Sequence, residues 1–167
     1  TNAAMEAAKA AEADRYAADL FNAAKDSLAA AMTEVENQNA KFALTRNYGH
    51  AQQLLDGALA SFNSAKDAAA GNKEKVKMEA DTLAQALAAG IENAKKLMAK
   101  APRGKEGKAA LEMIQNDINA VEASVAEISS AANSGDFLGA RDKAQASLAK
   151  INSIVEELNQ AIAKRSR

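Results

Sequence analysis

The sequence predicts an all-α fold, an elongated antiparallel helical bundle of about four helices built around one long central helix. Composition is the first reason: alanine makes up about a quarter of the 167 residues, there is one proline, and aromatics are only 4 %, so helix propensity is high and strand formers are scarce. The second is an unbroken apolar rhythm. Tyr48, Ala51, Leu55, Ala58, Phe62, Ala65 and Ala69, then Val76, Ala80, Leu83, Leu87, Ala94 and Leu97 recur at the three- and four-residue spacing of one helix face. The third is that only short breaks separate this stretch from similar ones on either side.

The first helix is expected over about residues 3–43, with Ala13, Ala17, Leu20, Ala24, Ala31, Val35 and Phe42 on its seam and Phe21, Leu28 and Met32 widening the stripe. Asn37, Gln38 and Asn39 dilute its end. Asn47 is placed to cap the next helix by accepting a hydrogen bond from an unpaired backbone N–H, and Tyr48 opens that helix. Gly71-Asn72 could end it, since glycine inside a helix costs about 1 kcal/mol relative to alanine. Continuity is the better reading, because the seam steps through 65, 69, 72, 76, 80 and 83 as a stutter that a loop would scramble. An unbroken helix here is roughly 80 Å long at 1.5 Å per residue.

Pro102, Gly104 and Gly107 make 101–107 the clearest linker. A third helix follows over about 108–132, with Leu111, Ile114, Ile118, Val121, Val125, Ile128 and Ala132 as its stripe and a glycine cap at Asn133-Ser134-Gly135. Asp136 caps the fourth, which carries Phe137, Ala140, Ala144, Leu148, Ile151, Val155, Leu158 and Ile162. Residues 1–70 therefore read as an N-terminal helical hairpin and 71–167 as a three-helix unit sharing the long helix. Asn47-Tyr48-x-x-Ala51 and Asp136-Phe137-x-x-Ala140 share a pattern that either a duplicated hairpin or common helix-start chemistry explains.

The sequence carries none of the common chemistry-bearing motifs. A carboxylate-bridged di-iron bundle needs Glu-x-x-His pairs, and the single histidine, His50, is preceded at that spacing by Asn47. The absence of cysteine removes disulfides, thiol catalysis and covalent haem attachment. There is no Gly-x-Ser-x-Gly elbow, and Arg103-Gly104-Lys105-Glu106-Gly107 lacks the ending of a phosphate loop. Glu34/Glu36 and Glu156/Glu157 read as solvated faces. The expectation is no enzyme, no catalytic residue, no cofactor and no metal.

Net charge is −1, which argues against specific nucleic-acid binding. Basic residues concentrate around the second interhelix turn. Lys95, Lys96, Lys100, Arg103, Lys105 and Lys108 surround it, and an up-down bundle returns Lys164, Arg165 and Arg167 to the same end. This basic pole serves either solubility and helix-end electrostatics or contact with an anionic surface, lipid or cell-wall polymer. No stretch reaches the ~18 apolar residues of a membrane span. Thr1 is not an initiator residue and the first segment lacks a signal peptide's basic and apolar regions, so a processed or trimmed chain is expected.

Ala13-x-x-Tyr16-Ala17, Leu20, Ala24-Lys25 and Leu28, followed by Asn47-Tyr48-x-x-Ala51 and Ala58, resemble an uncharacterised family of small alanine-rich bacterial envelope lipoproteins. Its members carry a Tyr-Ala-Pro-Glu-Glu-Leu-like segment, then an alanine with a basic residue, then a Gly-Asp-Tyr-like turn. Here Ala18 stands at the proline, Asp19 at one acidic residue, and Asn47-Tyr48 replaces the fuller turn. The likeness covers about residues 3–70. It implies periplasmic residence, outer-membrane anchoring through a lipidated cysteine before Thr1, and no enzyme activity; it carries over no catalytic residue and no ligand. The expected role is a structural or interaction protein of the bacterial cell envelope, with an unknown protein or envelope component, or a second copy of the chain, as partner. The alternative is a membrane-surface-binding or stress-protective helical protein, since Ala65-Lys66-Asp67-Ala68-Ala69-Ala70 and Lys73-Glu74-Lys75-Val76-Lys77 look like late-embryogenesis-abundant repeats.

Overall fold

A computed structural model of the chain describes residues 1–101 and 108–165, the side chain of Arg165 excepted. The described residues are all-α: α1 (Asn2–Ala10), α2 (Ala13–Tyr16), α3 (Ala18–Asn39), a 3-10 turn (Ala43–Thr45), α4 (Gly49–Lys100), α5 (Lys108–Asn133) and α6 (Phe137–Arg165). The long helix passes through Gly71 without a break. Of the expected linker, residues 102–107 lie outside the described residues; α4 ends before it and α5 begins after it. Two compact units divide the chain, Thr1–Glu74 and Lys75–Arg167, each taking part of α4.

In the first unit, α3 runs antiparallel to α4. Phe21 meets Phe62 edge-to-face at 5.6 Å between ring centroids, and at the other end Gln38 receives a hydrogen bond from the Asn47 amide. The α4 seam is buried at Ala51, Ala58, Phe62, Ala65 and Ala69. Alanine at four of these five places lets helix axes come close, while one phenylalanine fills the remaining volume.

The expected single first helix is three helices, which raises the total from about four to six. Glu12 takes a left-handed conformation (φ 56°) and Ala17 an extended one (φ −143°). A continuous helix turning about 100° per residue puts positions five apart about 140° from a common face, so Ala8 and Ala13 could not both be buried on it; the kink brings both to 0 % exposure. Partners on α4 hold the break. The Asn72 amide donates to the Tyr16 carbonyl at 2.7 Å, and the Lys73 ammonium pairs with the Glu12 carboxylate. Lys73 Nζ and the Arg15 guanidinium each lie 5.6 Å from the Tyr16 ring centroid. Within α3 the observed seam also differs from the expected one. Phe21 is buried, and Leu20, expected inside, is 44 % exposed.

In the second unit the part of α4 from Lys75, α5 and α6 form an up-down-up arrangement. Lys143–Glu127 and Lys150–Asp117 link α6 to α5 in antiparallel register, and Arg141–Glu79 with the Gly90–Ile151 approach sets α6 parallel to α4. Leu87, Ile91, Ile118, Val121, Ile128, Ile151, Ile154 and Leu158 form the core. Val125, expected on the α5 stripe, faces out; Ser124 turns inward, donates to the Val121 carbonyl and meets the Ser147 hydroxyl at 2.8 Å. The α5–α6 turn follows the expected chemistry. Gly135 has φ +83°, its amide donates to the Ala132 carbonyl and the Asp136 amide to that of Ala131, the paired bonds of a Schellman cap. The Asp136 carboxylate then accepts from the Gly139 amide.

The shared pattern at Asn47 and Asp136 extends along both hairpins. A shift of 89 positions matches Ala51 with Ala140, Leu59-Ala60 with Leu148-Ala149, Phe62-Asn63-Ser64 with Ile151-Asn152-Ser153, and Ala69 with Leu158. A shift of 97 matches Phe21-Asn22-Ala23 with Ile118-Asn119-Ala120, Ala24 with Val121, Ser27 with Ser124 and Ala31 with Ile128. Buried positions fall on buried positions. This reaches well beyond helix-start chemistry and supports a duplicated hairpin. The two shifts differ by eight, so the first hairpin holds eight more residues between its matched helices, at 39–46.

Candidate functional site

The expected basic pole lies in the second unit. The parallel register of α4 and α6 brings Lys164 to the end where Lys95, Lys96 and Lys100 finish α4, beside Lys108 at the start of α5. Arg103, Lys105 and Arg167 lie outside the described residues, as does the side chain of Arg165. Three of the described lysines face carboxylates. Lys95 pairs with Glu122, Lys96 with Glu92 at 3.7 Å and Lys108 with Glu112 at 4.0 Å. Such exposed pairs add little to stability, yet they dilute the positive field an anionic surface would meet. A groove of about 620 Å³ between α4 and α5 opens here, lined by Lys95, Met98, Lys108, Leu111, Glu112 and Gln115 among others.

The turn between α3 and α4 forms a second surface that helix periodicity does not reveal. Phe42 is in phase with the α3 seam, where it is expected, but α3 ends at Asn39 and Phe42 stands 73 % exposed in the turn. Leu44, in the 3-10 turn, is 88 % exposed, and Tyr48 40 %. These are the two most exposed large apolar side chains among the described residues, with a third beside them. The signal was present in the sequence: from 37 to 55 there is no Asp or Glu, and Lys41 and Arg46 are the charged residues.

The turn is nonetheless densely bonded. The Ala40 and Lys41 amides donate to the Glu36 and Gln38 carbonyls, finishing α3. Arg46 donates through Nε to the Lys41 carbonyl at 3.1 Å and through Nη2 to that of Asn39 at 2.9 Å, satisfying helix-end acceptors with a cation suited to that terminus. The Thr45 amide and hydroxyl both donate to the Phe42 carbonyl at 2.9 Å. Tyr48 donates its phenol proton to Asn39 Oδ1 at 2.6 Å. Gln38, 6 % exposed, donates to Glu34 and accepts from the Asn47 amide. The Asn47 side chain accepts from the Gly49 amide at 2.9 Å, the cap the sequence predicts, with α4 beginning at Gly49 rather than Tyr48. Thus the backbone is fixed while the apolar side chains point outward. His50, in the first turn of α4, is exposed.

Among the described residues no group of three or more His, Cys, Asp and Glu is placed to hold a metal ion, and no helix is long and apolar enough to cross a membrane. Comparison with protein-family models, with curated proteins and with solved structures finds no match to this chain.

Proposed function

We propose that the chain is a non-enzymatic interaction protein of the bacterial cell envelope, periplasmic and held at the outer membrane by a lipid on a cysteine before Thr1, which works by docking an exposed surface. The observation that carries the docking is the α3–α4 turn, where a well-bonded backbone holds Phe42 and Leu44 out in solvent at 73 % and 88 % exposure. Neighbouring large apolar side chains held in water on an ordered scaffold favour a contact surface more than scattered ones do. The envelope assignment rests on the resemblance to the alanine-rich lipoproteins. Ala18, where that family carries proline, is the first residue of α3, the helix position at which proline is best accommodated. Two packed cores support a folded docking protein over a stress-protective chain that orders only on drying.

The test is a photoreactive side chain introduced at position 44 in cells producing the full precursor, with position 113, a similarly exposed site on α5, as reference. Adducts concentrated at position 44 in the envelope fraction are expected. Equal labelling at both positions, or recovery only in the cytoplasmic fraction, overturns the reading.

A further inference from the structure

We propose that residues 39–46 form a membrane-contact loop, whose Phe42 and Leu44 side chains enter the headgroup region of an anionic bilayer while Lys41 and Arg46 face its phosphates. This rests on the docking reading above and names the ligand of that surface.

Closing the hairpin does not require these residues. The matched α5–α6 turn joins its helices through three residues, 134–136, with one left-handed glycine. The first hairpin inserts eight more, and they carry the two most exposed large apolar side chains among the described residues. A segment that holds a phenylalanine and a leucine in water, where polar side chains would be more soluble, points to a ligand. Its backbone bonds mean that little further ordering accompanies contact.

Charge selects the kind of ligand. Across 37–55 the charged residues are Lys41 and Arg46, in a chain whose net charge is −1. Arg46 spends two N–H groups on the Asn39 and Lys41 carbonyls but keeps its charge and further donors. Tyr48 adds an amphipathic ring, at home where apolar and aqueous phases meet. Shape favours a bilayer over a protein partner. A protruding tip with two apolar side chains falls far short of the ~800 Å² per partner of a stable protein interface, whereas a headgroup layer takes such a wedge and rewards nearby cations additively. Contact of this size is reversible.

The experiment is co-sedimentation of the purified chain with phosphatidylglycerol-containing and with pure phosphatidylcholine vesicles, at low and at physiological salt. Binding to the anionic vesicles, weakened by salt, is expected. Phe42→Ser/Leu44→Ser should lower partitioning about tenfold or more, and Lys41→Gln about fivefold at low salt, while Met113→Ser leaves it unchanged. Both apolar positions are exposed, so the fold should survive. A second variant removes the loop outright: deletion of 39–46 with Gln38→Gly copies the α5–α6 turn and should keep the helical melt while losing the vesicles. Because the chain has no tryptophan, Phe42→Trp gives a lone reporter whose emission should shift to the blue on binding. Absence of wild-type binding at low salt overturns the proposal, as does undiminished binding of the double and loop-deleted variants. Self-association without vesicles that the double variant abolishes also overturns it, assigning the loop to a second copy. Adducts to protein at position 44 without vesicle binding leave the docking reading standing and remove only the lipid.

Discussion

Replacing glycine by alanine at two places on α4 should move stability in opposite directions. Both Gly71 and Gly90 are interior helical residues, so each substitution gains about 1 kcal/mol of helix propensity. At Gly71 a new Cβ meets nothing within 4 Å, and the gain stands. At Gly90 it would lie 2.9 Å from Ile151 Cγ2, inside the roughly 3.5–4.0 Å of a relaxed carbon contact. Ile151 is fully buried and its Cγ2 is attached directly to a β-branched centre, so it has no free end to swing aside. Overpacking of this kind costs about 1–3 kcal/mol, which cancels or outweighs the propensity gain. Gly71→Ala should therefore raise the melting temperature by about 2–4 °C, while Gly90→Ala leaves it level or lowers it by up to twice that. Circular dichroism at 222 nm during thermal and urea unfolding reads both. A Gly90→Ala protein stabilised as much as Gly71→Ala would show that the close approach of α4 and α6 is not there.

Two further outcomes probe the α1–α3 break. Asn72→Ala removes the amide that satisfies the Tyr16 carbonyl and should cost about 1 kcal/mol even after alanine's better propensity, read as a lower urea midpoint; an unchanged midpoint would mean that water replaces the bond freely. Glu12 is held below the usual carboxylate range, first by the hydrogen bond from Lys73 and against some desolvation. A depressed carboxylate stabilises the fold above its unfolded value and loses that contribution as pH falls through its folded value. Hence Glu12→Gln should be less stable than the parent at neutral pH, with the gap closing below pH about 4; a gap that widens in acid would refute the pairing.

The long helix was legible because its apolar positions recur over many turns and every one of Ala51, Ala58, Phe62, Ala65 and Ala69 is buried as its phase requires. The α5–α6 turn was legible because a left-handed glycine and an acidic cap are local chemistry. The break at residues 11–17 was not. No glycine, proline or asparagine marks it, and what holds it, Asn72 and Lys73, lies some 56–61 positions away along the chain; side chains remote in sequence overrode an alanine-rich preference for helix. Phe42 misled for a related reason. It sits in phase with the α3 stripe, but Arg46 and Gln38 terminate the backbone before the phase can place it. The basic pole was readable as a run of lysines, and the four-residue spacing of Glu92 to Lys96 and of Lys108 to Glu112 was readable with it, whereas the pairing of Lys95 with Glu122 depended on tertiary register.

The matched hairpins make α6 the counterpart of the first half of α4. In α4 that stretch does not stop but runs on past Glu74 as the leading helix of the next unit. The 75–101 pattern continued onto α6 in the same phase, followed by a copy of the α5–α6 hairpin, would supply every helix of another unit, as α4 finishes one module and starts the next. Length then becomes a countable variable, altered by whole modules without redesigning any core.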